Sequence, residues 1–241
     1  MAESIAFDGS CRPAPHIRRL VDALGIPSAN GSVGGTRWIL KEIDGALSLV
    51  EKDHPQHKPL SVDFVKLRRK HRSMPIARRG PMARALGRAT RTIIDATAGW
   101  GKDMLLMWMM GFDVVAVERS LVVGALLLDG LARLERDEPG LAYPRVVITD
   151  ALKYLGRHRA ECVYLDPMFA PRKKDSALAK RPLRVLRELV GSDDDRALLF
   201  DAAWQAASKR VVVKRPNRAG PWRTPEQSFS GKLMTYDMYL K

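Results

Sequence analysis

A chain of 241 residues with 46% hydrophobic content can hold one large domain and a small appendage, which argues against wholesale disorder. Its longest apolar runs, 104–112 and 121–128, fall far short of the roughly 20 residues a membrane span requires. The first residues, Met-Ala-Glu-Ser-Ile-Ala-Phe-Asp, lack the basic flank and apolar stretch of a signal peptide. Cys11 and Cys162 are the only cysteines, so a reducing, cytoplasmic setting fits better than a disulfide framework.

The net charge of +14 is informative because it is segregated. Residues 57–91 carry 11 Lys or Arg against Asp63 alone, 170–187 carry 7 against Asp175, and 208–223 carry 6 against no acid. Those stretches hold 24 of the 41 cations, and what remains is acidic, with 17 cations and 25 acids. Such patterning implies a polyanion-facing surface, nucleic acid first. A solvated face or contact with anionic lipid is the plainer alternative, although no amphipathic basic helix with an aromatic anchor argues for membrane.

In chain order, residues 1–75 read as a small α+β subdomain. A short strand at 5–7, a helix at 15–24 and a Gly/Ser break at 28–35 precede strand-like runs at 37–40, 46–50 and 60–65. Residues 76–91 form a basic bridge with a helix at 81–86. From residue 92 to 241 the pattern alternates: strands at 92–96, 114–117, 146–148, 162–165 and 210–213, helices at 102–110, 121–136, 152–156, 182–190 and 195–207. Short apolar strands alternating with helices predict an α/β fold, a mostly parallel sheet covered on both faces. Residues 232–239 alternate as a closing antiparallel edge strand would.

Ligands of open parallel sheets bind beyond the carboxyl ends of the strands, and the polar candidates collect there. Asp95, Gly99 and Gly101 follow the first strand of the alternating run, Glu118 ends the second, Asp150 follows the third and Asp166 ends the fourth. Gly99 and Gly101 allow close backbone approach, and Glu118 is placed to accept from ribose hydroxyls. Asp150 suits an adenine amino group. Dinucleotide-binding dehydrogenases share a glycine pair and a later acid, but here Met104 replaces the third glycine and the helix opens on Lys102-Asp103. Asp103 also has a plainer role as a dipole partner at a helix start.

Asp166-Pro167-Met168-Phe169 is more specific. An exocyclic amine on a base is a poor nucleophile; a carboxylate accepting its N–H hydrogens orients it and draws charge off it. Pro167 stiffens the turn and Phe169 offers a stacking face. The plainer reading is an Asp-Pro turn with Phe169 in the core. Lys214 and Arg215, at the same edge, suit a substrate phosphate, and Arg68, Arg69, Lys70, Arg78, Arg79, Arg172, Lys173 and Lys174 extend the candidate RNA surface. His54 and His57 beside Asp53 have metal-pair spacing but no further ligand, so a solvated loop and no metal are expected.

At these residues the chain resembles the bacterial small-subunit (16S) ribosomal RNA guanine-N2 methyltransferase J family, within the class I S-adenosylmethionine-dependent fold. The likeness runs from Ser61-Val-Asp-Phe-Val65 through Asp95-Ala-Thr-Ala-Gly-Trp-Gly-Lys-Asp103, Val117-Glu-Arg119 and Val163-Tyr-Leu-Asp-Pro-Met-Phe169 to Arg210-Val-Val-Val-Lys-Arg-Pro216. The resemblance implies a Rossmann-like class I sheet, S-adenosyl-L-methionine as cofactor, ribosomal RNA or the small subunit as partner, and methylation of a guanosine near the 3′ end of 16S RNA. It carries cofactor contacts to Lys102, Asp103, Glu118, Arg119, Asp150, Ala151 and Asp166. This chain departs from the family pattern at Lys102, usually arginine, at Asp150-Ala151, usually small hydroxyl residues, and at Ala170, usually proline. The alternatives are an amino-methyltransferase for another base, such as adenine N6, and a non-catalytic nucleic-acid-binding module on a degenerate methyltransferase fold.

Overall fold

The computed structural model describes residues 5–10, 13–29, 37–72, 80–167, 181–190 and 196–241. In chain order the elements are β1 (Ala6–Asp8), α1 (Pro15–Ala23), β2 (Ser28–Ala29), β3 (Trp38–Ile43), β4 (Ala46–Glu51), α2 (Phe64–Arg72), α3 (Pro81–Leu86) and β5 (Thr92–Asp95). There follow α4 (Lys102–Met109), β6 (Asp113–Glu118), α5 (Leu121–Asp137), β7 (Arg145–Ile148), α6 (Ala151–Leu155) and β8 (Ala160–Leu165). The remainder is α7 (Arg181–Val190), α8 (Arg196–Ala206), β9 (Ala207–Pro216), β10 (Gln227–Ser230) and β11 (Met234–Leu240). They group into two compact units, Met1–Ser73 with Ser120–Tyr143, and Met74–Arg119 with Pro144–Lys241.

In the first unit the sheet order is β2-β1-β3-β4. Asp44 and Gly45, at φ 52° and 73°, turn β3 back into β4, a two-residue connection whose left-handed residues match the twist of a hairpin. Residues 60–65 are not the strand their alternation suggests. Leu60 makes a single bridge to Leu49, and Asp63 Oδ1 then accepts from Lys66 N at 2.8 Å to open helix α2. Val62 and Phe64 are buried all the same, against α5, where a Cβ on Gly130 would stand 2.8 Å from Val62 Cγ1. Helix α5, which the alternating pattern assigns to the α/β run, is tied into this unit by Asp129. That side chain is fully buried and accepts from Leu47 N (3.1 Å) and Arg133 Nε (2.8 Å), with His16 Nε2 at 3.3 Å.

The second unit carries a seven-stranded sheet of order β10-β11-β9-β8-β5-β6-β7, parallel from β9 to β7. Strand β11 runs antiparallel to β9 as expected, but it is not the edge. The short polar strand β10, which burial of Phe229 alone anchors, pairs outside it and leaves little edge to pair further. On one face Ile94, Val163, Leu165, Val211 and Val213 pack under α6 and α8 with Phe200, Ala203 and Tyr239, each large aliphatic contributing about 1.5–3 kcal/mol by leaving water. Period-two alternation sends Asp95, Tyr164 and Lys214 to the other face, where α4 lies. Register therefore assembles a polar row there from strands distant in sequence.

Candidate active site

The turn from β5 to α4 is built by two glycines that the backbone requires. Gly99 sits at φ 51° and Gly101, the residue before the helix, at φ 69°, a region that costs an L side chain roughly 1–2 kcal/mol. At Gly99 a Cβ would also approach Leu186 Cδ2 to 3.2 Å. Gly99 N donates to Glu118 Oε2 at 2.9 Å, so the acid at the end of β6, 4% exposed, is drawn onto the loop. Asp95 is 1% exposed and accepts from Thr97 N at 3.2 Å, bracing the turn from beneath. Burial, then the charge of Asp103, pushes its carboxyl well above the usual range. Thr97 Oγ1 accepts from Asp166 N at 2.6 Å, stitching this turn to the one after β8.

Lys214 lies at the centre. Its Nζ is 2.6 Å from Asp103 Oδ2 and 2.8 Å from Asp166 Oδ2, and Tyr164 OH donates to the same Asp103 oxygen at 2.6 Å. Burial works against the Lys214 ammonium, but the two carboxylates outweigh it and hold its pKa above the ordinary lysine value. Burial first, and the charge on Asp103 next, raise the Tyr164 phenol well above its usual range and push Tyr236 up to about 12. Tyr236 pairs in register with Lys214. None of Thr97, Tyr164 or Tyr236 stands out in the sequence, since only strand register brings them to Asp166; the apolar-polar alternation of Val163-Tyr-Leu-Asp166 is the one signal that could have found Tyr164.

The other expected positions divide. Asp150 caps α6 by accepting from Lys153 N at 3.1 Å, and Ala151 begins that helix half-exposed; Lys102 and Arg119 are exposed at the same strand ends. Pro167 is buried, and Met168, Phe169, Ala170, Arg172, Lys173 and Lys174 lie outside the described residues, as do Arg78 and Arg79. Lys214 and Arg215, expected at a substrate phosphate, both have acidic partners. Lys214 is occupied by two carboxylates, and Arg215, 9% exposed, grips both oxygens of the fully buried Asp237. In the first unit Arg68 pairs with Glu138 at 3.4 Å and Arg69 with Asp137 at 2.5 Å, while Lys70 is exposed. His57 Nδ1 lies 2.7 Å from the buried Glu51, and Arg37 Nη2 2.7 Å from it. Among the described residues no cluster of three His, Cys, Asp or Glu could hold a metal.

The residues present suit a cationic nucleoside: an acid at the end of β6 for ribose hydroxyls, a capped helix start after β7, left-handed glycines and a carboxylate after β5, and a carboxylate after β8. A cavity of about 540 Å³ beside Gly87, Thr90 and Phe112 lies at the amino ends of β5 and β6, the opposite edge from this chemistry.

A family model described as a putative SAM-dependent methyltransferase matches residues 33–241. Proteins named ribosomal RNA small subunit methyltransferase J are similar over most of their length. The one from Nitrosococcus oceani is 38% identical over 98% of this chain and 97% of its own, and the one from Chromohalobacter salexigens 41% identical over 76% and 77%. A crystal structure of a SAM-dependent methyltransferase from Neisseria gonorrhoeae superposes with a TM-score of 0.74 at 26% identity, covering 98% of this chain and 95% of that one. The turn glycines, the acids at four strand ends and these matches together place the chain in the S-adenosylmethionine-dependent methyltransferase family of the ribosomal RNA small subunit methyltransferases J.

Proposed function

We propose that this enzyme methylates the exocyclic N2 of a guanosine in 16S ribosomal RNA, in the cytoplasm, using S-adenosylmethionine. Asp166 carries the reading: an acid at the end of β8, followed by a buried proline and linked through Thr97 to the glycine turn. When bound, the cofactor supplies a sulfonium methyl group as electrophile. Glu118 would hold its ribose hydroxyls, the backbone of Gly99 and Gly101 would line the same turn, and Asp103 would help hold its methionine moiety. Asp166 accepts an N–H of the target amine, orienting the nitrogen lone pair and offsetting the positive charge that develops on N2. Transfer of that methyl would form the N–C bond as the S–C bond breaks, with the thioether as leaving group and the surplus N2 proton passing to water. Phe169 stacks on the base. RNA is held by the basic stretches around Arg68, Arg69 and Lys70 and around Arg172, Lys173 and Lys174, with the names of the relatives supporting ribosomal RNA as the polyanion. Cys162 is buried, and burial pushes its thiol up to about 12, which keeps it inert.

The test is to incubate the enzyme with small-subunit particles and labelled cofactor, digest to nucleosides and identify the product by mass. N2-methylguanosine supports the reading. N6-methyladenosine would move the chemistry to another base, and a folded protein that does not bind the cofactor would leave only the non-catalytic binding module.

A further inference from the structure

Three consecutive amides fix the turn after β5 from three directions. Ala96 N donates to Tyr164 O of β8 at 3.0 Å, Thr97 N to the buried carboxyl of Asp95 at 3.2 Å, and Ala98 N to Val117 O of β6 at 3.1 Å. The Thr97 side chain therefore leaves a backbone with little freedom, and its branched Cβ restricts the torsion that aims the hydroxyl. That hydroxyl accepts from Asp166 N at 2.6 Å, one residue past the end of β8. The β5–β8 register itself ends at Asp95 and Tyr164, so a side chain carries the joining of the two strands beyond their pairing. On the other flank of Asp166, Pro167 is buried, and its ring disfavours helical backbone at the residue before it. Asp166 is thus held at its amide by Thr97 and at its carbonyl side by Pro167.

We propose that Thr97 is a positioning residue for methyl transfer: its hydroxyl sets the Asp166 main chain against the cofactor turn and so fixes where the Asp166 carboxylate meets the target amine. In this role it touches neither reactant and acts through Asp166. A displacement of about 1 Å at a group that orients a reacting atom costs up to about 100-fold in rate, so one hydrogen bond to the main chain has leverage here. Glu118 and the turn glycines are placed by bonds that do not pass through the hydroxyl, Gly99 N to Glu118 Oε2 at 2.9 Å and Gly101 N to Ala98 O at 2.8 Å. Losing the hydroxyl therefore slows the chemical step and leaves cofactor affinity nearly unchanged. This role rests on the amine-orienting reading of Asp166 and adds to it the residue that places the acid.

Single-turnover transfer of labelled methyl, with whole-chain enzyme in excess over small-subunit particles and S-adenosylmethionine saturating, reads the step; calorimetry reads cofactor affinity in the same variants. Thr97→Val keeps the shape and removes the acceptor, so its rate falls about 10-fold or more while its cofactor Kd stays within about threefold of wild type. Thr97→Ser returns the acceptor and restores most of the rate. In an Asp166→Asn background Thr97→Val adds little further loss, because the two residues act as one unit. Losses that multiply place Thr97 outside this path and overturn the proposal. So does a folded Thr97→Val enzyme that reacts at the wild-type rate, or one whose loss of cofactor affinity matches its loss of rate. An Asp166→Asn enzyme at the wild-type rate removes the reading beneath the proposal, whereas a slow Asp166→Asn beside an unimpaired Thr97→Val removes the proposal alone. Should Thr97→Val not fold, Thr97→Ser and Thr97→Ala differ by the hydroxyl alone, and equal rates for that pair overturn the proposal.

Discussion

Replacing Asp166 by asparagine separates its electrostatic role from its place in the fold. The amide has the same shape and keeps an acceptor oxygen, and the backbone bond from Asp166 N to Thr97 Oγ1 at 2.6 Å does not involve the side chain. Lys214 loses one charged partner but retains Asp103 at 2.6 Å. With the Asp166 side chain 33% exposed, the loss to stability is about 1 kcal/mol or less, since solvent screens such a pair. The chemical step loses more. The charge that opposes positive character on N2 is preorganised by Lys214 and by the turn, and removing one such group costs about 100-fold in rate, or about 2.7 kcal/mol of barrier. Single-turnover transfer of labelled methyl at saturating RNA and cofactor reads this step alone, with a thermal melt to confirm the fold. A variant that methylates at near the wild-type rate under those conditions refutes the amine-orienting role and returns the turn after β8 to a structural part.

Glu118→Ala removes the acceptor of Gly99 N and the charge-assisted bonds to ribose, so cofactor affinity falls about tenfold or more in calorimetry; unchanged affinity in a folded variant would reassign the ribose contact. RNA binding weakens steeply with salt, and neutralising Arg68, Arg69 and Lys70 together lowers the log–log slope by about 1 to 3, read by titration at several salt concentrations. An unchanged slope moves the RNA surface away from α2. Glu51 is held down to about 2, where burial alone would raise it, because His57 and Arg37 hydrogen-bond its carboxylate. A depressed carboxyl contributes stability that is complete above its unfolded value of 4.5 and is lost as pH falls through about 2. Glu51→Gln therefore destabilises by about 1–2 kcal/mol at pH 7, allowing for the exposure of both partners, and by progressively less toward pH 2 in urea melts.

The glycine turn after β5 and its acids are local in sequence and legible there. Asp95, Gly99, Gly101 and Asp103 fall within nine residues of one strand, turn and helix start, and left-handed glycines announce themselves. The residues opposite it are not local. Lys214 reads as one more cation in a basic stretch, and only the pairing of β5 with β8, β8 with β9 and β9 with β11 shows that it faces Asp166, Tyr164 and Tyr236. Elements were misread where one pattern serves two purposes. Leu60, Val62 and Phe64 alternate as in a strand, yet two of them are buried against a helix, and the Asp63 cap decides the outcome. Strand β10 has one buried side chain and so no periodicity to detect.

Because α5 belongs with the first unit, neither unit is a continuous stretch of chain. During synthesis the amino-terminal segment emerges with α1, β4 and α2 complete but without the helix whose Asp129 accepts from Leu47 N and lies 3.3 Å from His16 Nε2. That unit cannot close until residue 143 has left the ribosome, by which time β5 and β6 of the second unit already exist. A fragment cut near residue 75 would lack α5, whose Gly130 packs on Val62 and Phe64 and whose Asp129 accepts from Leu47 N, and is expected not to fold as a separate unit.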